Sequence, residues 1–175
     1  MKKISIKYGV LAGITATLFM ITSTLLHYDN PNYKNGEIIG YSGMLIAFIF
    51  IFIAVKSYRD KQNKGVISFG EAFKIGFFIT LIASTFYVVT WLIEYYFFMP
   101  DFMDKFKNST MENLKSQGLS PTEIAAKSEE MEMYREWYKN PILVILFSYM
   151  EILPAGLFIT LISSLILKRK KAVEL

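Results

Sequence analysis

The chain has no cysteine and a single histidine, His27, in 175 residues. Without cysteine there are no disulfides, no thiol nucleophile and no thiolate metal site. One histidine excludes the paired H-E-x-x-H pattern of a zinc protease. No nucleotide-binding motif and no basic, aromatic-interleaved reader motif occurs, so the net charge of +4 gives no reason to invoke nucleic acid. No catalytic motif and no cofactor are expected. What the chain has in abundance is apolar surface: 53% of its residues are hydrophobic, above the range of an ordinary soluble domain.

Four apolar runs, at about 8–26, 38–55, 75–99 and 142–167, match the roughly 20 residues that a hydrocarbon core requires, the second only barely. The first follows a basic start, Met1-Lys2-Lys3, as a secretory signal would. Its run is longer than a signal h-region and no small-x-small cleavage site follows, so it is read as a retained helix. The expectation is a single all-α, polytopic membrane domain over residues 1–175, with four transmembrane helices. Between the third and fourth, residues 100–140 form an extracytoplasmic amphipathic helical hairpin.

Basic residues set the orientation. Lys2, Lys3 and Lys7, the 56–74 connection and the Lys168–Lys171 cluster fall on one side, which the positive-inside rule makes cytoplasmic. Segment 100–140 holds six basic and eight acidic residues and falls on the other side. Both termini are therefore expected on the cytoplasmic side, with Lys168–Lys171 against anionic headgroups.

Local signals define the connections. Ser68-Phe69-Gly70-Glu71 fits a capping box that starts the third helix ahead of the bilayer. Phe102, Phe106, Thr110 and Leu114 recur every four residues and predict one outer helix ending near Gly118. Ser120-Pro121-Thr122-Glu123 then opens a second, with Ile124, Met131, Tyr134 and Tyr138 on one side, and Asn140-Pro141 closes it. Such helices cap the bundle, lie on the outer leaflet or meet a partner. The acidic string Glu129, Glu130, Glu132 and Glu136 is read as a solvated face. Asn108-Ser109-Thr110 matches a glycosylation acceptor, a spacing too common to carry weight.

The spans contain an internal echo. Gly76-Phe77-Phe78-Ile79-Thr80-Leu81-Ile82-Ala83-Ser84 returns as Gly156-Leu157-Phe158-Ile159-Thr160-Leu161-Ile162-Ser163-Ser164, identical at seven of nine positions. Gly76, Thr80 and Ser84, and likewise Gly156, Thr160 and Ser164, follow the small-xxx-small spacing that lets membrane helices approach closely. Counted at about 1.5 Å per residue from the basic anchors, the two copies lie at matching depths in opposite directions. An antiparallel seam with Thr80 near Thr160 is expected. Gly9 and Gly13, extended by Thr17, offer another stripe, within the bundle or toward a second copy.

The candidate ion or proton site is a ring of His27, Glu94 and Glu151. An ionisable group inside a span is by default a working residue. The same depth count puts all three near the outer edge of the hydrocarbon, where interfacial carboxylates reach water or tyrosine hydroxyls. Tyr95, Tyr96, Phe97 and Phe98, with Phe147 and Tyr149, read as the outer aromatic belt. Pro154, three residues after Glu151, withholds an N–H from the Met150 carbonyl. No metal is assigned.

Gly40-Tyr41-Ser42-Gly43-Met44-Leu45-Ile46-Ala47, Lys56-Ser57-Tyr58-Arg59-Asp60, Gly65-Val66-Ile67-Ser68-Phe69-Gly70-Glu71-Ala72 and Met99-Pro100-Asp101-Phe102 stand in this order. Glu151-Ile152-Leu153-Pro154 and Leu165-Ile166-Leu167-Lys168-Arg169-Lys170 complete it. Over nearly its whole length the chain thus resembles a family of small bacterial four-span membrane proteins, domain of unknown function 4199. That resemblance implies an inner-membrane helical protein and brings no catalytic residues. The functional expectation is a non-enzymatic envelope or partner-interaction role, the partners being the lipid bilayer and either a second copy or a membrane or periplasmic protein. The alternative is a small ion- or proton-coupled transporter or channel subunit using Glu94 and Glu151.

Overall fold

Apolar runs of this length bury their backbone polar groups only as helices, and the described residues form six α-helices, four of them from these runs. The computed structural model describes residues 1–28 and 34–169; the side chains of His27 and of residues 34–37, and Lys170 and Lys171 of the basic tail, lie outside the described residues. The helices are α1 (Lys2–His27), α2 (Lys34–Gln62), α3 (Phe69–Ile93), α4 (Phe102–Ser116), α5 (Pro121–Tyr138) and α6 (Pro141–Leu167). A wide π turn, Glu94–Phe98, extends α3 and closes with the Met99 N–H donating to the Glu94 carbonyl at 2.9 Å.

Among the described residues, four helices are long and apolar enough to cross a membrane: Lys2–Leu26, Ile38–Gln62, Phe69–Phe98 and Pro141–Leu167. In the most apolar 18-residue stretch of each, no more than 39% of the residues are buried inside the protein, so each span keeps residues open to lipid. The second is longer than its apolar run, because its helix continues past Val55 through Lys56–Gln62 into the polar elbow. The architecture is all-α and polytopic.

α1 and α3 run parallel, since Gly9 lies under Ile82, Gly13 under Phe86, and the Thr17 and Thr90 hydroxyls meet at 3.0 Å. A Cβ on Gly13 would fall 2.6 Å from the Phe86 ring, so this glycine stripe is filled within the chain by α3. α1 and α2 run antiparallel, with Gly43 against Phe19. α6 returns antiparallel to α3, and α2 packs against all three other spans.

At the α3–α6 crossing, each threonine enters the notch left by the other helix's glycine. The Thr80 methyl faces Gly156, the Thr160 methyl faces Gly76, and the two hydroxyls meet at 3.2 Å, fully buried. Phe48 and Ile51 of α2 close over the two glycines. The Ser164 hydroxyl donates to the Thr160 carbonyl at 2.7 Å. Ser84 is also buried on this face, and its hydroxyl has no hydrogen-bond partner among the described residues.

At the basic end of the bundle, the α2–α3 elbow turns through Lys64 and Gly65, both at positive φ, and the Ser68/Glu71 capping box starts α3. Ile67 exchanges backbone hydrogen bonds with Arg169 at 3.0 and 2.8 Å, and the Arg59 guanidinium donates to the Leu167 carbonyl. The elbow is thereby tied to the end of α6.

Candidate functional site

At the opposite end, α4 and α5 form a hairpin that folds back onto the bundle. Gly118 at φ +77° makes the turn, and Ser120 with Glu123 caps α5. Lys107 pairs with Glu132 at 2.8 Å and Arg135 with Asp104 at 3.1 Å, joining the two helices. Much of the acidic string is thus paired within the hairpin, Glu130 with Lys127 and Glu136 with Lys139.

The apolar side of the hairpin is spent on the spans. Phe102 packs edge-on to Trp91 and Tyr95, at 5.0 and 6.2 Å between ring centres. Tyr138 meets Tyr95 at 5.4 Å, and Trp137 stacks on Phe147 at 5.5 Å. Of the three arrangements open to amphipathic outer helices, the described one is a cap on the bundle. A polar latch reinforces it: the Tyr28 hydroxyl donates to Asp101, and Lys105 lies 3.8 Å over the Tyr28 ring. The Tyr28 hydrogen bond, with Lys105 adding to it, holds Asp101 below the usual carboxylate range. The latch persists at neutral pH and is lost only as the pH falls through that lowered value.

Between cap and spans lies a cavity of about 570 Å³, bounded by α1, α2, α3, α6 and both cap helices. Thirteen of its twenty lining residues are aromatic or methionine, so its wall is apolar but rich in ring faces and polarisable sulfur. Met20, Met44, Met99, Met103 and Met131 are the buried methionines among the described residues, and all five line it. Sequence reading passed over them because they come from separate elements and form no local spacing.

Glu151 lines this cavity and accepts a hydrogen bond from the Tyr87 hydroxyl at 3.3 Å. Tyr138, also on the wall, has its phenol pushed up to about 12, first by burial and then by the Glu151 charge. It therefore remains a neutral hydroxyl at every physiological pH. The other charged pair on the wall, Lys127 and Glu130, is closed on itself at 2.7 Å.

Glu94 has a different setting. It is only 7% exposed, opens the π turn, and accepts from the Thr24 hydroxyl of α1 at 2.9 Å. The depth count had placed it within reach of water, but it cannot see α1, which runs beside α3 and covers this carboxylate. Glu94 is not on the cavity wall, whereas its partner Thr24 is. The two carboxylates thus take their described hydrogen bonds from different neighbours, and the His27 side chain lies outside the described residues. Among the described residues, no three His, Cys, Asp or Glu side chains cluster as a metal site.

No curated protein and no solved structure matches the chain. A family model matches residues 7–169, nearly the whole chain and all four spans. The chain therefore belongs to the family described as "Protein of unknown function (DUF4199)".

Proposed function

We propose that this chain is a non-enzymatic, multi-pass protein of the bacterial cytoplasmic membrane that holds a small ligand in a recess beneath its outer helical cap. The observation that carries the reading is the cavity itself. Its volume of about 570 Å³ falls in the range typical of small-molecule sites, with few polar groups among apolar ones. A cap whose apolar face is spent on the spans and whose acidic residues are mostly paired internally offers less to a protein partner than the recess offers to a small molecule. On this reading the envelope role lies in the recess, with the bilayer as partner.

Both termini and the 56–74 elbow belong to the cytoplasm on the basic-residue distribution, and the cap to the outer side. The absence of cysteine makes this directly measurable. In intact cells, a membrane-impermeant maleimide is expected to label Lys115→Cys on the cap at once and Lys61→Cys on the elbow only after permeabilisation. The reverse pattern would invert the topology and move the recess to the cytoplasmic side.

The second reading, an ion- or proton-coupled carrier or channel subunit, draws on Glu94, a carboxylate buried within a span. It needs Glu94 and Glu151 to act together. Loss of resistance to ion or pH stress in both Glu94→Gln and Glu151→Gln, at unchanged expression, would favour it over the ligand-holding reading.

A further inference from the structure

The wall of the recess runs out onto the lipid-facing side of α2. Ile38, Tyr41 and Leu45 follow the i, i+3, i+7 spacing of one helix face, and all three are exposed. They stand within the second span, which begins at Ile38, so this face meets hydrocarbon. Gly40, Tyr41 and Met44 line the recess from the same stretch. Tyr41, 53% exposed, therefore belongs to both surfaces and marks the edge where one gives way to the other. Beside it Gly40 leaves a notch, since a Cβ there would meet nothing among the described residues within 4 Å. A molecule that enters past this edge comes from the bilayer.

The polarity of the wall is graded. Met20, Met44, Met99, Met103 and Met131 are buried, and their unbranched thioethers adjust to a guest of no fixed shape. The charged residues of the wall, Lys127, Glu130 and Glu151, are each more than a third exposed and stand at its margin. A polar solute would leave the methionine and aromatic lining without apolar contact and would have to cross hydrocarbon to reach the Tyr41 edge. A compact apolar body would leave the polar margin unused. The molecule that answers both parts has a flexible apolar chain and a polar head.

We propose that the recess takes the acyl chain of a membrane amphiphile, admitted past Gly40 and Tyr41, with its head left at the margin near Lys127 and Glu130. This rests on the reading of the recess as a ligand site and adds the class of ligand. A phospholipid and a free fatty acid share that chain, and the test separates them.

The full chain is reconstituted in phosphatidylcholine vesicles with one of three photoreactive probes, and labelled residues are read by mass spectrometry. Two probes are a phosphatidylcholine and a free fatty acid with a diazirine near the end of the acyl chain; the third is a compact, apolar aryl diazirine. Lipid around the spans labels the exposed Phe158 in every case and serves as the internal reference. A chain probe is expected to label Met103 and Met131 as well, although both are buried and lie on the cap helices. These labels from the phospholipid alone, or from the fatty acid alone, uphold the chain and name its source. Gly40→Phe, whose ring has room at the edge, should cut them several-fold relative to Phe158 at unchanged melting temperature; Gly40→Leu serves if that variant does not fold. Undiminished recess labels in a folded variant would overturn the entry past Gly40. Labelling of Met103 and Met131 by the aryl probe alone would overturn the acyl chain and leave the ligand-holding recess standing. Phe158 labelled by all three probes, with Met103 and Met131 labelled by none, would overturn both.

Discussion

Replacing Gly156 with alanine is expected to destabilise the protein by about 1–3 kcal/mol, and with valine by more, because the α3–α6 seam has no room for a Cβ. An added Cβ would lie 2.4 Å from the Thr80 methyl carbon and 2.7 Å from the Phe48 ring, both too close for carbon. Neither neighbour is a flexible chain end that can swing clear. Thr80 is held by its hydroxyl contact with Thr160, and Phe48 is fully buried. Thermal unfolding in detergent should therefore begin about 2–10 °C lower for Gly156→Ala. The compensating change is specific. Thr80→Ser removes the clashing methyl and keeps the hydroxyl, so Gly156→Ala with Thr80→Ser should recover part of the loss. Strict additivity of the two substitutions would show that they do not meet.

The second large effect belongs to the cap. Tyr95 touches Phe102 of α4 and Tyr138 of α5, and it packs on Trp91 within its own helix. Tyr95→Ala should weaken cap docking by about 2–4 kcal/mol, combining lost ring pairs with lost burial. The loss should be local. Amide hydrogen exchange is expected to accelerate through α4 and α5, while α1, α2 and α6 exchange as in the parent. Uniform acceleration across all helices would mean that the cap is part of one cooperative unit with the spans, and that α4–α5 cannot open separately.

The contrast between these two regions explains what the sequence disclosed. Span number followed from apolar length, and both capping boxes from residues three apart, because these are local properties. The seam was legible for a less common reason. Gly, Thr and Ser at matching depths on two segments of opposite direction leave few ways to bury six small or polar residues. The recess was not legible. Its methionines lie at positions 20, 44, 99, 103 and 131, and only the three-dimensional meeting of α1, α2, the Met99 link, α4 and α5 brings them together. Glu94 shows the same limit. A depth count along α3 cannot tell that α1 covers one side of it, or that the helix widens into a π turn there. Glu151 sits three residues before Pro154 on α6, and it opens instead into the cavity.

The central claim is that the hairpin sits on the bundle and roofs the recess. Met44 of α2 and Met131 of α5 line the cavity from the spans and from the cap. The most direct measurement is Met44→Cys with Met131→Cys, joined in native membranes by a short bifunctional maleimide. A protease site is placed in the turn at Gln117–Leu119, and the cleaved chain is run on a denaturing gel. The account predicts that the two fragments remain joined after cleavage, and separate when either cysteine is omitted. Efficient labelling of both cysteines with complete separation of the fragments would contradict it, placing α4 and α5 away from the bundle and leaving the recess without a roof.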